Sequence, residues 1–208
     1  MPIHSLHTAS IPNNTRLLVW EITESIEELS KHLTELNLTE LESKATEKRK
    51  QEYLGVRVAL KALLQKEIAI KYDTEGKPQL VDNSFQISVS HSGRWIAVVA
   101  HPTRVVGVDI EVPTDKIQKV HKRFLSETEQ TELSDCLNIN QLQLAWSAKE
   151  ALYKIIGKEA IDFAKQLRIF PFDVQHEGEI LAEHLPTKKQ YKLQYIQQLA
   201  YTLVYCLS

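Results

Sequence analysis

Two cysteines, Cys136 and Cys206, are all the thiol chemistry in 208 residues. They are too few for a disulfide framework or a four-cysteine zinc site, and they suit a reducing compartment. An excess of one charge is also lacking. Twenty-five Lys and Arg against 27 Asp and Glu leave a formal −2, so no global field draws the chain to nucleic acid or to a membrane. The longest uncharged apolar stretch, Trp95 to Ala100, falls far short of the roughly 20 residues that cross a bilayer. The opening MPIHSLHTAS has neither a basic nor an apolar leader region, so no secretory signal is expected there. Glycine-rich phosphate loops, the HExxH zinc pair and the GxSxG nucleophile elbow do not occur. With 43% hydrophobic and 25% charged residues, the composition is ordinary for a globular chain and argues against disorder and filaments. The expectation is a soluble cytoplasmic protein of one to one and a half domains, long enough for a sizeable core.

The pattern begins with a strand at residues 16–20, RLLVW. Helical spacing follows from Ser25, through Ile26, Leu29, Leu33 and Leu36, and again from Thr46 to Ile70. The first stretch is acidic and the second basic (Lys48, Arg49, Lys50, Arg57, Lys61, Lys66), either a solvated face or a local positive patch. Gly76 and Pro78 mark a turn. Phe85, Ile87 and Val89 alternate with polar residues, His91-Ser92-Gly93 breaks the run, and Trp95 to Ala100 completes a hairpin pattern. Val106 to Val112 alternates as another strand. Helices are expected from Ser126 to Leu137 and from Gln141 to Ile156. Strands follow from Leu167, with turn signals at His176-Glu177-Gly178 and Pro186. The order strand, helices, strands occurs twice. It predicts an α+β fold of two similar halves, 1–103 and 104–208, each with helix packed on a small antiparallel sheet.

Three constellations could carry chemistry. Asp109 and Glu111 share one strand face, about 7 Å apart at their Cα atoms. They are either an acidic solvent face or two ligands for one hard cation such as Mg²⁺. Gly107 beside them leaves room for a ligand or another backbone. On the 141–156 helix, Leu144, Ala148, Ala151, Leu152, Ile155 and Ile156 form an apolar stripe, with Trp146, Glu150 and Lys154 opposite. Glu150 and Lys154 alone would be an ordinary surface i,i+4 pair. A large indole on the same face points instead to a helix packed on both sides. Third, Ser90-His91-Ser92-Gly93 offers hydroxyl, imidazole and backbone N–H donors as a phosphate cradle.

These blocks stand in the order Gly76-Lys77-Pro78, Ile87 to Gly93 (ISVSHSG), Gly107 to Glu111 (GVDIE), Phe124 to Glu129 (FLSETE) and Trp146 to Lys154 (WSAKEALYK). Together with a weaker Arg-x-x-Leu likeness at Arg57, the chain resembles the 4′-phosphopantetheinyl transferases of the two-half, surfactin-synthetase-activating type. The likeness covers about residues 76–154. It implies a pseudo-dimer with coenzyme A in a cleft between the halves. It further implies transfer of the phosphopantetheine arm to a serine of an apo acyl or peptidyl carrier protein, with adenosine 3′,5′-bisphosphate released. By position, Asp109, Glu111 and Glu150 would hold Mg²⁺, and Lys154 and His91 would contact the pyrophosphate. Lys77 and Ser90 would lie along the nucleotide and Arg57 at the 3′-phosphate. Glu129 matches a proposed base for the serine, and reads equally as an exposed glutamate in the first turn of a helix opening at Ser126. Ser88 stands where the family often has Asn. The expected protein is a monomer that binds neither nucleic acid nor membrane. A non-catalytic regulator that binds coenzyme A or carrier protein is the alternative.

Overall fold

The computed structural model describes residues 5–6, 14–34, 38–133, 138–157 and 161–208, with 5–6 and 38 as backbone only. The chain divides into two units, Met1–Thr103 and Arg104–Ser208.

In the first unit the elements are β1 (Ser5–Leu6), β2 (Arg16–Glu21), α1 (Ile26–Ser30), α2 (Leu38–Glu42), α3 (Glu47–Leu64), β3 (Ile70–Tyr72), β4 (Pro78–Leu80), β5 (Gln86–Ser92) and β6 (Trp95–His101). The main sheet has the order β1-β2-β6-β5, all antiparallel, and β3 and β4 form a separate ribbon. Leu54, Val58 and Leu60 on α3 pack with Leu18, Trp20, Ile96 and Val98 of the sheet into one core. The helix expected to reach Ile70 ends at Leu64, where Gln65 takes a left-handed conformation. Beyond it Ile68 and Ile70 pack on the core at a spacing of two, which suits the strand that follows. The hairpin turn also falls later than the sequence indicates. Ser90 to Ser92 stay paired with Trp95 to Ala97, leaving Gly93 and Arg94 as the loop.

In the second unit they are β7 (Val106–Glu111), α4 (Lys116–Val120) running into a 3₁₀ turn (His121–Arg123), α5 (Glu127–Glu132), α6 (Ile139–Ile156), α7 (Phe163–Gln166), β8 (Leu167–Ile169), β9 (Glu177–His184), β10 (Lys189–Gln197) and β11 (Thr202–Leu207). The sheet order is β7-β11-β10-β9-β8, again antiparallel throughout. The apolar stripe of α6 (Leu144, Ala148, Ala151, Leu152) packs on Leu193, Tyr195, Val204 and Cys206. The glycine read as a turn signal, Gly178, lies inside β9 opposite Tyr195, whose hydroxyl and ring atoms would be 2.8 and 2.9 Å from any Cβ there. It is a close-approach glycine. The helix expected over 126–137 is described to Glu132; Cys136 and the residues around it lie outside the described residues. Cys206 is a buried free thiol, and desolvation pushes its pKa up to about 12.

Candidate functional site

Gly107, Asp109 and Glu111 fall on one face of β7, because side chains alternate along a strand. That face meets α6. A Cβ on Gly107 would sit 2.1 Å from the Ala151 carbonyl oxygen, so the close approach is to the helix's own main chain. Strand and helix then run past each other and their polar faces converge. Lys154 Nζ donates to the Val108 carbonyl at 2.7 Å and to Asp109 Oδ1 at 3.0 Å. Trp146 Nε1 donates to Glu111 Oε1 at 3.4 Å. The Asp109 carboxylate is 5% exposed and the Lys154 side chain 25%, so this pair is largely withdrawn from water. The strand dyad and the tryptophan-bearing helix therefore meet.

Glu150 lies half-buried in the same cluster. Burial first, then the Asp109 charge, push its carboxyl up to about 7; Lys154 opposes the shift and Glu111 adds to it. Its ordinary value is 4.5, so the native state favours the acid form. Stability present below pH 4.5 is lost as pH rises through about 7. Glu150→Gln should therefore melt with the parent at pH 4.5 but above it at pH 8, by about 2–3 kcal/mol at roughly 1.4 kcal/mol per unit. A gap that ignores pH in thermal melts would refute this.

Trp146 is held between Phe124 and Phe163, with ring centroids at 5.2 and 5.7 Å. These rings, with Glu150 and Arg123, line a recess of about 660 Å³. The helix is thus packed on the indole face too. Glu129 does not line that recess. It is not the exposed glutamate of a helix start, being 0% accessible. Its Oε2 accepts from Ser126 N–H (2.8 Å), Ser126 Oγ (2.9 Å) and Lys149 Nζ (2.8 Å), and its Oε1 from Ile169 N–H at 2.8 Å. This capping box at α5 is closed by a buried ion pair. Its partner Lys149, also 0% exposed, passed unnoticed in the sequence. The signal was available: Lys149 sits three and four residues from Leu152 and Ala145, on the buried side of α6.

In the first unit a recess of about 300 Å³ is lined by Lys44, Arg49, Glu52, Tyr53, Gly76 and His91, among others. Glu52, 10% exposed at its side chain, faces Arg49 at 3.1 Å, His91 Nδ1 at 3.5 Å and Lys48 at 3.8 Å. Gly76 and Pro78 border this recess, and Lys77 between them ties its N–H to Asp73 Oδ1 at 2.9 Å. Ser90 is buried beside His91 in β5. Arg57 lies one layer behind. Its guanidinium stacks 3.4 Å over the Tyr53 ring and donates to Tyr53 O and Glu40 at 3.2 and 3.5 Å. Arg49 and Lys44 line this recess, and no motif in the sequence distinguished them from their basic neighbours.

Among the described residues, no three His, Cys, Asp or Glu side chains stand arranged as a metal-ligand group. Lys154 holds Asp109 in the structure as it is. The donor chemistry nevertheless fits a hard cation: every candidate ligand is a carboxylate, and after burial the Asp109 charge is the next cause that raises Glu150.

Residues 105–206 match the family model of the 4′-phosphopantetheinyl transferase superfamily. The chain is 30% identical over 120 residues to the Bacillus subtilis (strain 168) protein named 4′-phosphopantetheinyl transferase Sfp, over 55% of this chain and 52% of that protein. It is 39% identical over 84 residues to a second Bacillus subtilis protein named 4′-phosphopantetheinyl transferase, over 39% of this chain and 36% of that one. The matches thus span about half, or less, of these relatives' lengths. The segment that brings Asp109, Glu111, Glu150 and Lys154 together is thus the one through which the chain is similar to the 4′-phosphopantetheinyl transferase superfamily.

Proposed function

We propose that this protein is a Mg²⁺-dependent holo-[carrier protein] synthase. It moves the 4′-phosphopantetheine arm of coenzyme A to a serine hydroxyl of an apo acyl or peptidyl carrier protein. The observation that carries this reading is the meeting of Asp109, Glu111, Glu150 and Lys154 inside the segment that matches the superfamily. The serine oxygen bonds to the pyrophosphate phosphorus that bears the pantetheine. The bond to the leaving adenosine 3′,5′-bisphosphate breaks, and the hydroxyl proton is released.

Asp109, Glu111 and Glu150 would hold the ion, which when bound neutralises pyrophosphate charge. Two of the three protons on Lys154 go to Val108 O and Asp109, which aims the ammonium at the same place. An ammonium so placed stabilises the negative charge that develops on the leaving phosphate. In the first unit, Lys44, Arg49 and His91 make the small recess suited to an anionic nucleotide end, with Lys77 and Ser90 alongside. Glu129 supports the site rather than taking the serine proton. Exposed Lys116, Lys119, Lys122 and Arg123 give the second unit a basic surface, complementary to an acidic carrier protein. No helix of the described residues is long and apolar enough to cross a membrane, and the proposed setting is a cytoplasmic monomer.

Incubation with coenzyme A, Mg²⁺ and a panel of apo carrier proteins tests the reading by intact mass. At least one carrier should gain the arm. No gain on any carrier, with folded protein, overturns it. Coenzyme A binding that is indifferent to Mg²⁺ and leads to no transfer would favour a binding regulator instead.

A further inference from the structure

In the second unit the Lys149 ammonium is fully buried, at 0% exposure. It donates to the carbonyls of Phe124 (2.7 Å), Phe163 (2.9 Å) and Leu167 (2.8 Å) and pairs with Glu129 at 2.7 Å. Glu129 in turn holds Ser126 and the Ile169 N–H. One side chain of α6 therefore fixes the segment before α5, the start of α7 and the start of β8. A buried pair of this kind is weak evidence for stability as such, since apolar side chains of similar volume often serve as well. What this one adds is placement. Two of its carbonyl acceptors belong to Phe124 and Phe163, the rings that flank Trp146. Trp146 then reaches Glu111, and Glu150 is the next residue after Lys149.

We infer that Lys149, held by Glu129, is the positioning residue of the carboxylate cluster. It sets the aromatic walls that aim the Trp146 indole at Glu111, and so decides how well Asp109, Glu111 and Glu150 gather around a divalent cation. The inference rests on the transfer reading above, but its test does not depend on transfer.

Protein labelled with 5-fluorotryptophan gives one fluorine resonance each for Trp20, Trp95 and Trp146. In Lys149→Met the Trp146 resonance should move while that of Trp20, in the other unit, stays in place. The Mg²⁺ concentration that half-saturates the Trp146 response should rise about ten- to a hundredfold, the usual effect of losing a supporting partner. Glu129→Gln keeps Lys149 and its carbonyl acceptors but loses the charge, and should shift the same midpoint in the same direction. The double variant should be no worse than the poorer single one, because the two act as a unit.

An unmoved Trp146 resonance with a parental Mg²⁺ midpoint in Lys149→Met overturns the inference. So does a Glu129→Gln protein that loses turnover with its midpoint unchanged, since Glu129 would then be a base. If Lys149→Met fails to fold, Glu129→Gln decides. If neither folds, the pair builds the fold rather than the site, and the inference is wrong. A parent that responds to Mg²⁺ but modifies no carrier refutes the transfer reading alone. A parent with no Mg²⁺ response refutes the inference as well.

Discussion

Asp109→Ala should lower phosphopantetheine transfer at saturating coenzyme A by about a thousandfold, with the far-UV circular dichroism unchanged. Removing one preorganised electrostatic group from a water-poor site costs about a hundred- to a thousandfold in turnover. Asp109 does two things at once: it is the proposed metal ligand, and it anchors Lys154 at 3.0 Å. Loss of a hydrogen bond to a charged group costs about 2 kcal/mol. The Lys154 ammonium keeps its bond to Val108 O at 2.7 Å. The variant also removes the charge that repels Glu150, which returns part of the stability lost. Glu150→Ala should show the same loss of turnover. Steady-state rates against a modified carrier check both, and full activity in either variant would end the metal assignment.

Gly107→Ala should be the most damaging single methyl in the second unit. Its Cβ would lie 2.1 Å from Ala151 O and 3.0 Å from Ala151 C, atoms of the helix main chain that cannot swing aside. Either β7 or α6 has to move, and the carboxylates on β7 move away from Glu150 with it. Overpacking of this kind costs about 1–3 kcal/mol, and more where the obstacle is backbone. A fall in Tm of about 10 °C is expected, at several degrees per kcal/mol, together with loss of transfer. Gly55→Ala supplies the control. Its Cβ would meet only the side-chain ends of Ile96 and Ile22, at 2.6 and 2.9 Å, which can rotate. It should cost less, and it should spare the metal response. Equal melting of Gly107→Ala and the parent would refute the close packing of β7 on α6.

Much of the second unit can be read from spacing. The period of the 141–156 segment puts Leu144, Ala148 and Leu152 inward, and the alternation at 106–112 puts Asp109 and Glu111 on one face. Trp146 on the polar side of α6 already signals a second packing surface, which Phe124 and Phe163 supply. What spacing cannot give is the partner across the chain. Glu129 three residues after Ser126 looks like any helix-start glutamate, and only tertiary structure brings Lys149 to it from 20 residues away. Arg57 and Arg49 are likewise equal in composition. The stacking of Arg57 on Tyr53, and its tie to Glu40 from a separate short helix, is what removes it from the recess wall. The end of α3 is missed for a local reason: Gln65, not glycine, takes the left-handed position, so the sequence carries no stop signal.

Cys206 lies on β11 between β7 and β10, with its proton held far above neutral pH by burial. Alkylating reagents attack thiolates, so this sulfur is shielded for as long as those strands remain zipped. Uptake of such a reagent at Cys206 therefore times the opening of the scaffold beneath the carboxylates, and it separates breathing of the sheet from changes confined to the side chains above it.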